Sequence, residues 1–401
     1  MKKHQFITTT ALMIGYMIGA GVLALPVNLG LTGAVPSVFL IIVYGIVMKY
    51  TSDVLADEIC AEKAETVDYP TLYGKYMGKA GTAIAVIANL TVLYGLLIAY
   101  ISGATNIIQT FFDCDEMSLY IMLGISAVLI CLTVADIEAV NKYNTVFVAL
   151  IFMTFITMII LSFDKIDVAA LKETNLKYGG VSIPVVIAAF IFQNLIPVLC
   201  KKTEWNASAT KRVMSCGMVL VIIVYAAWTV CSIGCLPRYG ENGIINTYIN
   251  NFPATIPMEK IIGSPLFKIL ATAFSLLAIV TSFIANGLAL NGFLNDLVHN
   301  SFKMKLSQTV IKIIAFLPPV VIVLLWPQVF LKALEIVGGV GGITLFGLFP
   351  CAIVFVKKNN SLKRKGKAAI CGILCVAALI MIIASITGIE AICPNPLNEL
   401  N

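Results

Sequence analysis

Eleven apolar stretches with very few charged residues follow one another along the chain and limit its fold more than any other feature of the sequence. Each is about 20 residues long, the length an α-helix needs to cross the hydrocarbon core of a bilayer. Their apolar residues run continuously instead of alternating, which favours helices over the strands of a membrane β-barrel. The sequence therefore predicts an all-α integral membrane protein with about 11 transmembrane helices. The predicted spans lie near residues 6–28, 35–52, 82–110, 118–135, 144–163, 181–199, 213–236, 266–293, 310–326, 330–356 and 369–388.

The scarcity of charge supports the same interpretation. Of the 401 residues, 59% are hydrophobic and 12% are charged, and the mean hydropathy is +0.96. A soluble domain carries charge on about a quarter of its residues. This composition excludes a set of soluble domains, a disordered chain and a nucleic-acid-binding protein, and it makes the lipid bilayer the expected surroundings.

Lysine and arginine positions predict the orientation, because cytoplasmic loops of membrane proteins are enriched in both residues. With the N-terminus in the cytoplasm, 20 of the 27 basic residues fall in cytoplasmic segments, and the densest run is 357–367. The odd number of spans then places the C-terminus outside.

Two of the spans contain residues that suit a broken helix. The first span has small residues at 19–21 and then Pro26, and the sixth has the polar pair Gln193-Asn194 and then Pro197. Proline suits the first turn of a helix, so we expect each proline to open a new half-helix. Breaks at corresponding depths in two halves of a chain are typical of transporters with inverted repeats.

The two interruptions are 175 residues apart, which pairs spans 1–5 with spans 6–10. The sequence thus predicts one transmembrane transporter domain over 1–401, with a 5+5 inverted-repeat fold and broken helices 1 and 6. Its repeats would cover about 6–163 and 181–356, and about 369–388 would form an extra C-terminal helix.

A break in the first helix would expose unpaired backbone N–H groups at the positive end of a helix dipole, which suits a carboxylate. Gly19, Ala20 and Gly21 are therefore candidate substrate-binding residues. The alternative is a packing face of small residues, since Gly15 and Gly19 form a GxxxG pattern.

Several of these segments resemble the hydroxy/aromatic amino acid permease family of the amino acid–polyamine–organocation superfamily. Residues 18–26 resemble the first helix of that family, and 99–104 are similar to the third-helix signature of its tyrosine/tryptophan-type branch. Matches to the sixth, eighth and ninth helices follow at 183–197, 281–283 and 316–319, so the resemblance runs from about residue 6 to 388.

The resemblance implies proton-coupled import of tyrosine, tryptophan or phenylalanine by alternating access, in the inner (plasma) membrane of a bacterium. It also implies that Tyr100 and Ser102 lie near the substrate. The first helix, with Val22 and Pro26, is similar to the serine/threonine branch as well, so a serine/threonine permease is an alternative. At 193–194 the chain has Gln-Asn where aromatic permeases more often have a His-Gly-like pair.

Polar residues inside the sixth and eighth spans are further candidates. Phe192 could stack on a substrate ring, and Gln193 and Asn194 could contact the substrate or hydrogen-bond to a neighbouring helix. In sodium-coupled relatives of this architecture a Thr-Ser pair at the place of Thr281 and Ser282 supplies oxygens to sodium. Hydroxyls that bond back to their own helix are the alternative.

Two more residues are candidates for ion coupling. Asn286 lies one helical turn after Ser282. Glu335 is the only acidic residue within the predicted spans, and acids at membrane depth normally mark proton relays. Lys332, three residues before Glu335, permits a local ion pair instead.

Other classes of membrane protein fit less well. An enzyme would need a cluster of acid, base or nucleophilic side chains at one depth, and a channel would favour a symmetric oligomer. No nucleotide-binding P-loop occurs, so an ion gradient is the expected driving force. The sequence predicts a secondary transporter with an aromatic amino acid as substrate, without a cofactor, metal or obligate protein partner. Protons are the expected coupling ion, and a sodium-coupled symporter is a further alternative.

Overall fold

The computed structural model of the chain describes residues 2–63, 68–114, 117–135, 137–301, 303–357 and 360–387. The side chains of residues 135–145, 300, 301 and 386 lie outside that description. Residue 388, where the predicted eleventh span ends, also lies outside it. The described residues are almost entirely helical, and none of them forms a strand. The α-helices are α1 Lys3–Met17, α2 Ala20–Gly30, α3 Ala34–Glu62, α4 Tyr69–Phe112, α5 Ser118–Ala135, α6 Ile137–Ser162, α7 Gly179–Ala189, α8 Ile196–Lys202, α9 Ala207–Cys235, α10 Ile244–Ile249, α11 Thr255–Ile262, α12 Pro265–Asp296, α13 Gln308–Leu325, α14 Phe330–Ile336, α15 Phe349–Val356 and α16 Leu362–Thr387.

These helices confirm the predicted membrane fold. Within the described ranges, nine helical segments are long and apolar enough to cross a membrane, and the bent pair α1 and α2 makes a tenth span. The shorter apolar helix Ser118–Val134 corresponds to the remaining predicted span. The two longest helices are α4, with 44 residues, and α12, with 32, as expected from the lengths of the third and eighth apolar stretches.

The first span is broken where the small residues occur. α1 ends at Met17, α2 begins at Ala20, and the two helices are bent by 56°. Gly19 has an extended backbone (φ −129°, ψ −151°) that interrupts the helical ladder.

The expected position of Pro26 was wrong, because this residue lies inside α2 and not in its first turn. Proline removes its own N–H from the ladder and crowds the carbonyl four residues earlier, but a membrane helix can continue around it when neighbouring segments support the freed backbone groups. α2 is buried along its whole length. The extended Gly19, and not the proline, therefore produces the break.

The sixth span is broken over a longer stretch. α7 ends at Ala189, a 3₁₀ turn covers Gln193–Leu195, and α8 begins at Ile196. Pro197 falls in the first turn of α8, as predicted. Both predicted breaks are thus present, whereas the division of the chain into two repeats stays a prediction.

Contacts at its two ends give the bundle two distinct sides. On the side where α1 begins, here called the amino-terminal side, Gln5 donates to the Lys202 carbonyl and Lys357 pairs with Glu58 at 2.7 Å. On the opposite side, where α2 ends, Arg238 Nη1 donates to the Leu31 carbonyl at 3.0 Å.

The tenth span is distorted where its glycines cluster. Between α14 and α15 the chain forms a π-helix over Val337–Leu348. A Cβ at Gly338 would overlap the carbonyl oxygen of Pro184 in α7, and one at Gly341 would lie 2.8 Å from the Ala88 carbonyl oxygen in α4. These glycines therefore let the backbone of span 10 touch the backbones of spans 6 and 3, which is how membrane helices pack closely.

The contact at Gly338 predicts a strong effect of a small substitution. Gly338→Ala should destabilise the fold by about 1–3 kcal/mol, because the added methyl meets a backbone oxygen that cannot move aside. Gly124→Ala in α5 is the matched control, since a Cβ there meets nothing within 4 Å. Thermal unfolding of the purified protein in detergent should show a lower midpoint for the first variant only. Equal midpoints would contradict the packing described here.

Candidate functional site

The two broken helices meet at their breaks. α2 packs on α7, and a Cβ at Gly21 would lie only 2.6 Å from the Ala189 Cα, closer than real Cβ atoms come to a backbone atom. Glycine at position 21 therefore permits the start of α2 to touch the end of α7. The first N–H groups of a helix have no partner one turn earlier, and at the start of α2 the Val22 N–H donates to the Gly19 carbonyl at 3.2 Å.

Tyr225 of α9 links the two breaks. Its hydroxyl lies 2.6 Å from the Met17 carbonyl oxygen, at the end of α1, and 2.8 Å from the Ala189 carbonyl oxygen, at the end of α7. The side chain is fully buried, and its ring lies 5.3 Å from that of Phe190. A hydroxyl has one proton to donate, and Tyr225 shares it between the Ala189 carbonyl and the Met17 carbonyl, which also accepts from the Gly19 N–H at 2.9 Å.

Tyr225 was not among the residues selected from the sequence. It stands in an apolar span with no motif around it, and only its contacts with two distant breaks reveal its position. A buried tyrosine normally finds a hydrogen-bond partner, so a tyrosine inside a predicted span was the available signal.

A second group of residues closes around Gly19. A Cβ at Gly19 would overlap Ser282 Oγ of α12 and would lie 3.7 Å from the Tyr100 hydroxyl of α4. Asn286 Nδ2 is 3.3 Å from that hydroxyl and donates to the Ser282 carbonyl at 2.9 Å. Four of the predicted site residues, from three separate spans, thus lie together at the first break.

One hydrogen-bond acceptor of this group, the side-chain oxygen of Asn286, has no partner among the described residues. Asn286 is 3% exposed, so this oxygen is buried. A buried polar atom is normally paired, and an exception calls for an explanation such as a bound group. The Tyr100 ring packs edge-on against Phe283, with centroids 6.4 Å apart. Two aromatic side chains therefore lie next to the Asn286 amide.

The residues at the break of the sixth span differ in what their side chains contact. Phe192 is fully buried, and its N–H donates to Gln193 Oε1 at 2.9 Å. Gln193 Nε2 donates to Ser52 Oγ in α3, and its carbonyl accepts from the Tyr69 hydroxyl at 2.6 Å. The Gln193 amide is therefore occupied by protein contacts, which corresponds to the interhelical alternative. Asn194 instead lines a cavity.

Ser102 and Thr281 point away from this group. Ser102 Oγ donates to the Pro327 carbonyl at 2.6 Å and accepts from the Val329 N–H at 3.3 Å, so it anchors the segment between α13 and α14. The Thr281 hydroxyl donates back to the Leu277 carbonyl of its own helix at 2.8 Å.

Glu335 lies near the opposite side of the bundle and is 7% exposed. Its Oε1 accepts from Asn28 Nδ2 of α2 and from the Tyr248 hydroxyl of α10, each at 3.0 Å. Its Oε2 lies 2.9 Å from Lys332 Nζ, so the local ion pair is present. One carboxylate therefore joins the end of α2 to the start of span 10 and to the segment that follows span 7.

A cavity of about 560 Å³ opens toward the amino-terminal side. It is bounded by the start of α4, by α8 and by the end of α12; we call it the vestibule. Its lining includes Asp68, Asn89, Asn194, Asp296 and His299. Burial, and to a smaller extent the charge of Asp296, raise the pKa of Asp68 above its ordinary value, although the hydrogen bonds from Thr71 oppose this.

The opposite side is held together by several polar contacts besides those of Glu335. Ser182 Oγ donates to the Asn28 carbonyl at 2.6 Å, and the Ala254 N–H donates to the Leu23 carbonyl at 3.0 Å. α7 of the sixth span and the segment after span 7 thus cover α2, the second half of the first span. The breaks are approached by a cavity from one side and covered on the other.

Broken helices that meet in the middle of the bundle, with a cavity on one side, are typical of secondary transporters. Comparison with known sequences decides the family. The profile of the Tryptophan/tyrosine permease family matches residues 2–390, nearly the whole chain. The chain belongs to this family.

Individual relatives of the permease are similar along most of their length. The Tyrosine-specific transport system 1 of Haemophilus influenzae is 26% identical over 348 residues, 84% of each chain. The Low affinity tryptophan permease of Escherichia coli is 24% identical over 386 residues, which cover 90% of this chain and 88% of the relative. The Glutamine transporter 2 of Aliivibrio fischeri is 26% identical over 302 residues, 72% and 75% of the two chains.

Membership of this family makes the chain a multi-pass membrane transporter and not an enzyme. In the part of the chain that the structure describes, no three His, Cys, Asp or Glu side chains are grouped so that they could hold a metal ion.

The double contact of Tyr225 predicts that its hydroxyl stabilises the permease. Tyr225→Phe should lower the free energy of unfolding by about 1–3 kcal/mol, because it removes the side-chain donor of the buried Ala189 carbonyl, while the Met17 carbonyl keeps the Gly19 N–H. Tyr120→Phe in α5 removes the hydroxyl of a tyrosine that is 70% exposed and should have no such effect. The comparison is made by thermal unfolding in detergent. If both variants unfold at the temperature of the parent protein, Tyr225 does not hold the breaks together.

Proposed function

We propose that this permease is a secondary active transporter that imports tyrosine or tryptophan by proton symport through alternating access. The observation that carries the proposal is the meeting of the two helix breaks beside Tyr100 and the open amide oxygen of Asn286. The similarity to a tyrosine-specific transport system and a tryptophan permease supports the choice of substrate.

The amino acid would lie at the first break. Its carboxylate would meet the N–H groups of Ala20 and Gly21, at the positive end of the α2 dipole. Its ammonium would meet carbonyls at the ends of α1 and α7. Its side chain would extend toward Tyr100, as the resemblance of the third helix implies, and toward the ring of Phe192 beside the sixth-span break.

The structure corresponds, on this proposal, to the state that faces the cytoplasm. The vestibule opens on the side where α1 begins, and the distribution of basic residues assigns that side to the cytoplasm. Import would then alternate between this state and one in which the vestibule closes and the contacts of Asn28 and Glu335 separate.

Transport by the purified protein tests substrate and coupling ion together. In proteoliposomes, labelled tyrosine or tryptophan should accumulate when the lumen is more alkaline than the medium, and accumulation should not require sodium. Serine, glutamine and phenylalanine are the comparison substrates.

Each other outcome has a defined meaning. Uptake of serine alone would support the serine/threonine alternative, and uptake of glutamine alone would follow the Aliivibrio relative. Strict dependence on sodium would contradict proton coupling and would direct attention to Ser282, which lies at the first break, and to Thr281.

For the proton itself we propose Glu335. It is a buried acid, and its carboxylate holds three donors that close the opposite side of the bundle. Protonation would remove the charge that attracts these donors, which would favour separation of α2 from span 10. A proton taken up outside would thereby open the outer side.

Glu335→Gln should uncouple transport from the pH gradient. Glutamine keeps an oxygen that can accept from Asn28 and Tyr248 but carries no charge and cannot titrate. We expect exchange of labelled for unlabelled substrate to persist, while accumulation driven by the pH gradient falls at least about tenfold.

Lys332→Gln is the matched control, since it removes the other half of the ion pair and leaves the carboxylate. It should keep accumulation dependent on the gradient. If Glu335→Gln still accumulates substrate in proportion to the gradient, the proton is carried elsewhere.

A further inference from the structure

A long apolar groove runs along the outside of the bundle between spans 10 and 11, separate from the breaks and the vestibule. Its volume is about 740 Å³. We call it the 10–11 groove. Small residues, among them Ala352, Ala369 and Gly372, form its floor, and Phe355, Ile373 and Val376 form its walls.

The walls of the 10–11 groove face the surroundings of the protein. Phe355 is 50% exposed, Ile373 67% and Val376 46%. Because these residues lie in predicted membrane spans, an apolar chain and not water is the expected content of the groove.

The end of the groove on the amino-terminal side adjoins the densest basic segment of the chain. Two of the cations there are neutralised, since Lys357 pairs with Glu58 at 2.7 Å and Arg364 with Asp57 at 2.8 Å. Lys363, Lys365 and Lys367 have no acidic partner among the described residues. Net positive charge therefore remains at this end.

The helical period selects one of these three lysines. Residues four apart lie on the same face of a helix, and Lys365, Ala369, Ile373 and Ala377 follow this spacing along α16. Lys365 thus stands one turn before the first residues of the groove, on the same face, and it is partly buried. Lys363 and Lys367, two residues to either side, fall on the other face of the helix.

We propose that the 10–11 groove binds an anionic phospholipid from the leaflet on the amino-terminal side. An acyl chain would occupy the groove, and the phosphate would lie at the Lys365 ammonium. An unpaired cation at the mouth of an apolar groove matches the two parts of such a lipid, and basic pockets between membrane helices are known to take anionic headgroups. A second protein chain could cover the apolar groove, but an apolar surface would not supply an anion for Lys365. The proposal does not depend on which amino acid is transported.

Competition between two lipids tests whether the protein prefers an anionic headgroup. The full-length protein is purified in detergent, mixed with equal amounts of phosphatidylglycerol and phosphatidylcholine of the same acyl chains, and examined by native mass spectrometry. Phosphatidylglycerol should be retained about fivefold more, the effect of one basic side chain on an anionic lipid. Lys365→Gln should reduce this preference to near parity, whereas Lys363→Gln should keep it.

A second variant tests the groove. Gly372→Leu places a large side chain on its floor, where a Cβ meets only Cys351 at 3.9 Å, so the helices can keep their packing. It should reduce retention of both lipids. The proposal is overturned if the parent protein shows no preference for phosphatidylglycerol, if Lys365→Gln and Lys363→Gln behave alike, or if a second protein chain is retained in place of lipid.

Discussion

Inside a bilayer every backbone N–H and carbonyl must find a partner within the protein, and the rest of this structure depends on how that requirement is met at two broken helices. The breaks are tolerated because other groups replace the missing helical bonds. Tyr225 supplies a donor to the carbonyl ends of α1 and α7, and the Gln193 side chain accepts from the Phe192 N–H. Glycine at 21 allows the start of α2 to approach α7 closely. The permease thus concentrates at the two breaks the side chains that replace helical bonds.

Much of this fold could be predicted, because span length and continuous hydrophobicity are local properties of the sequence. The places of both breaks followed from small or polar residues inside apolar runs. The role of Pro26 could not be predicted in this way. A proline interrupts a helix only when its neighbours leave the backbone unsupported, and the packing around α2 is decided by distant segments. The role of Tyr225 could not be predicted for the same reason, because its partners lie 36 and 208 residues away along the chain.

The candidate site was predictable to a smaller extent. Tyr100, Ser282 and Asn286 meet at Gly19. Ser102, only two residues from Tyr100, faces the segment before α14. Residues two apart on a helix point in different directions, so a motif that contains both cannot place both at one site. Gln193 and Asn194 separate in the same manner across the break. Sequence similarity identifies such a segment, and the helix direction then decides which of its side chains can reach a substrate.

The two sides of the bundle differ in how their charges are used. On the amino-terminal side, the ion pair of Asp57 with Arg364 joins segments distant in the chain but remains partly exposed, so it contributes little to stability, whereas Glu58 is buried and binds Lys357 and the Tyr76 hydroxyl. On the opposite side a single buried carboxylate, Glu335, holds donors from three segments, and a charge buried this deeply is costly once its partners leave. Opening the opposite side therefore requires either a replacement partner for Glu335 or its neutralisation. In the proposed transport cycle a proton on Glu335 would provide this neutralisation without entering the space proposed for the amino acid, so the two roles would fall to separate residues.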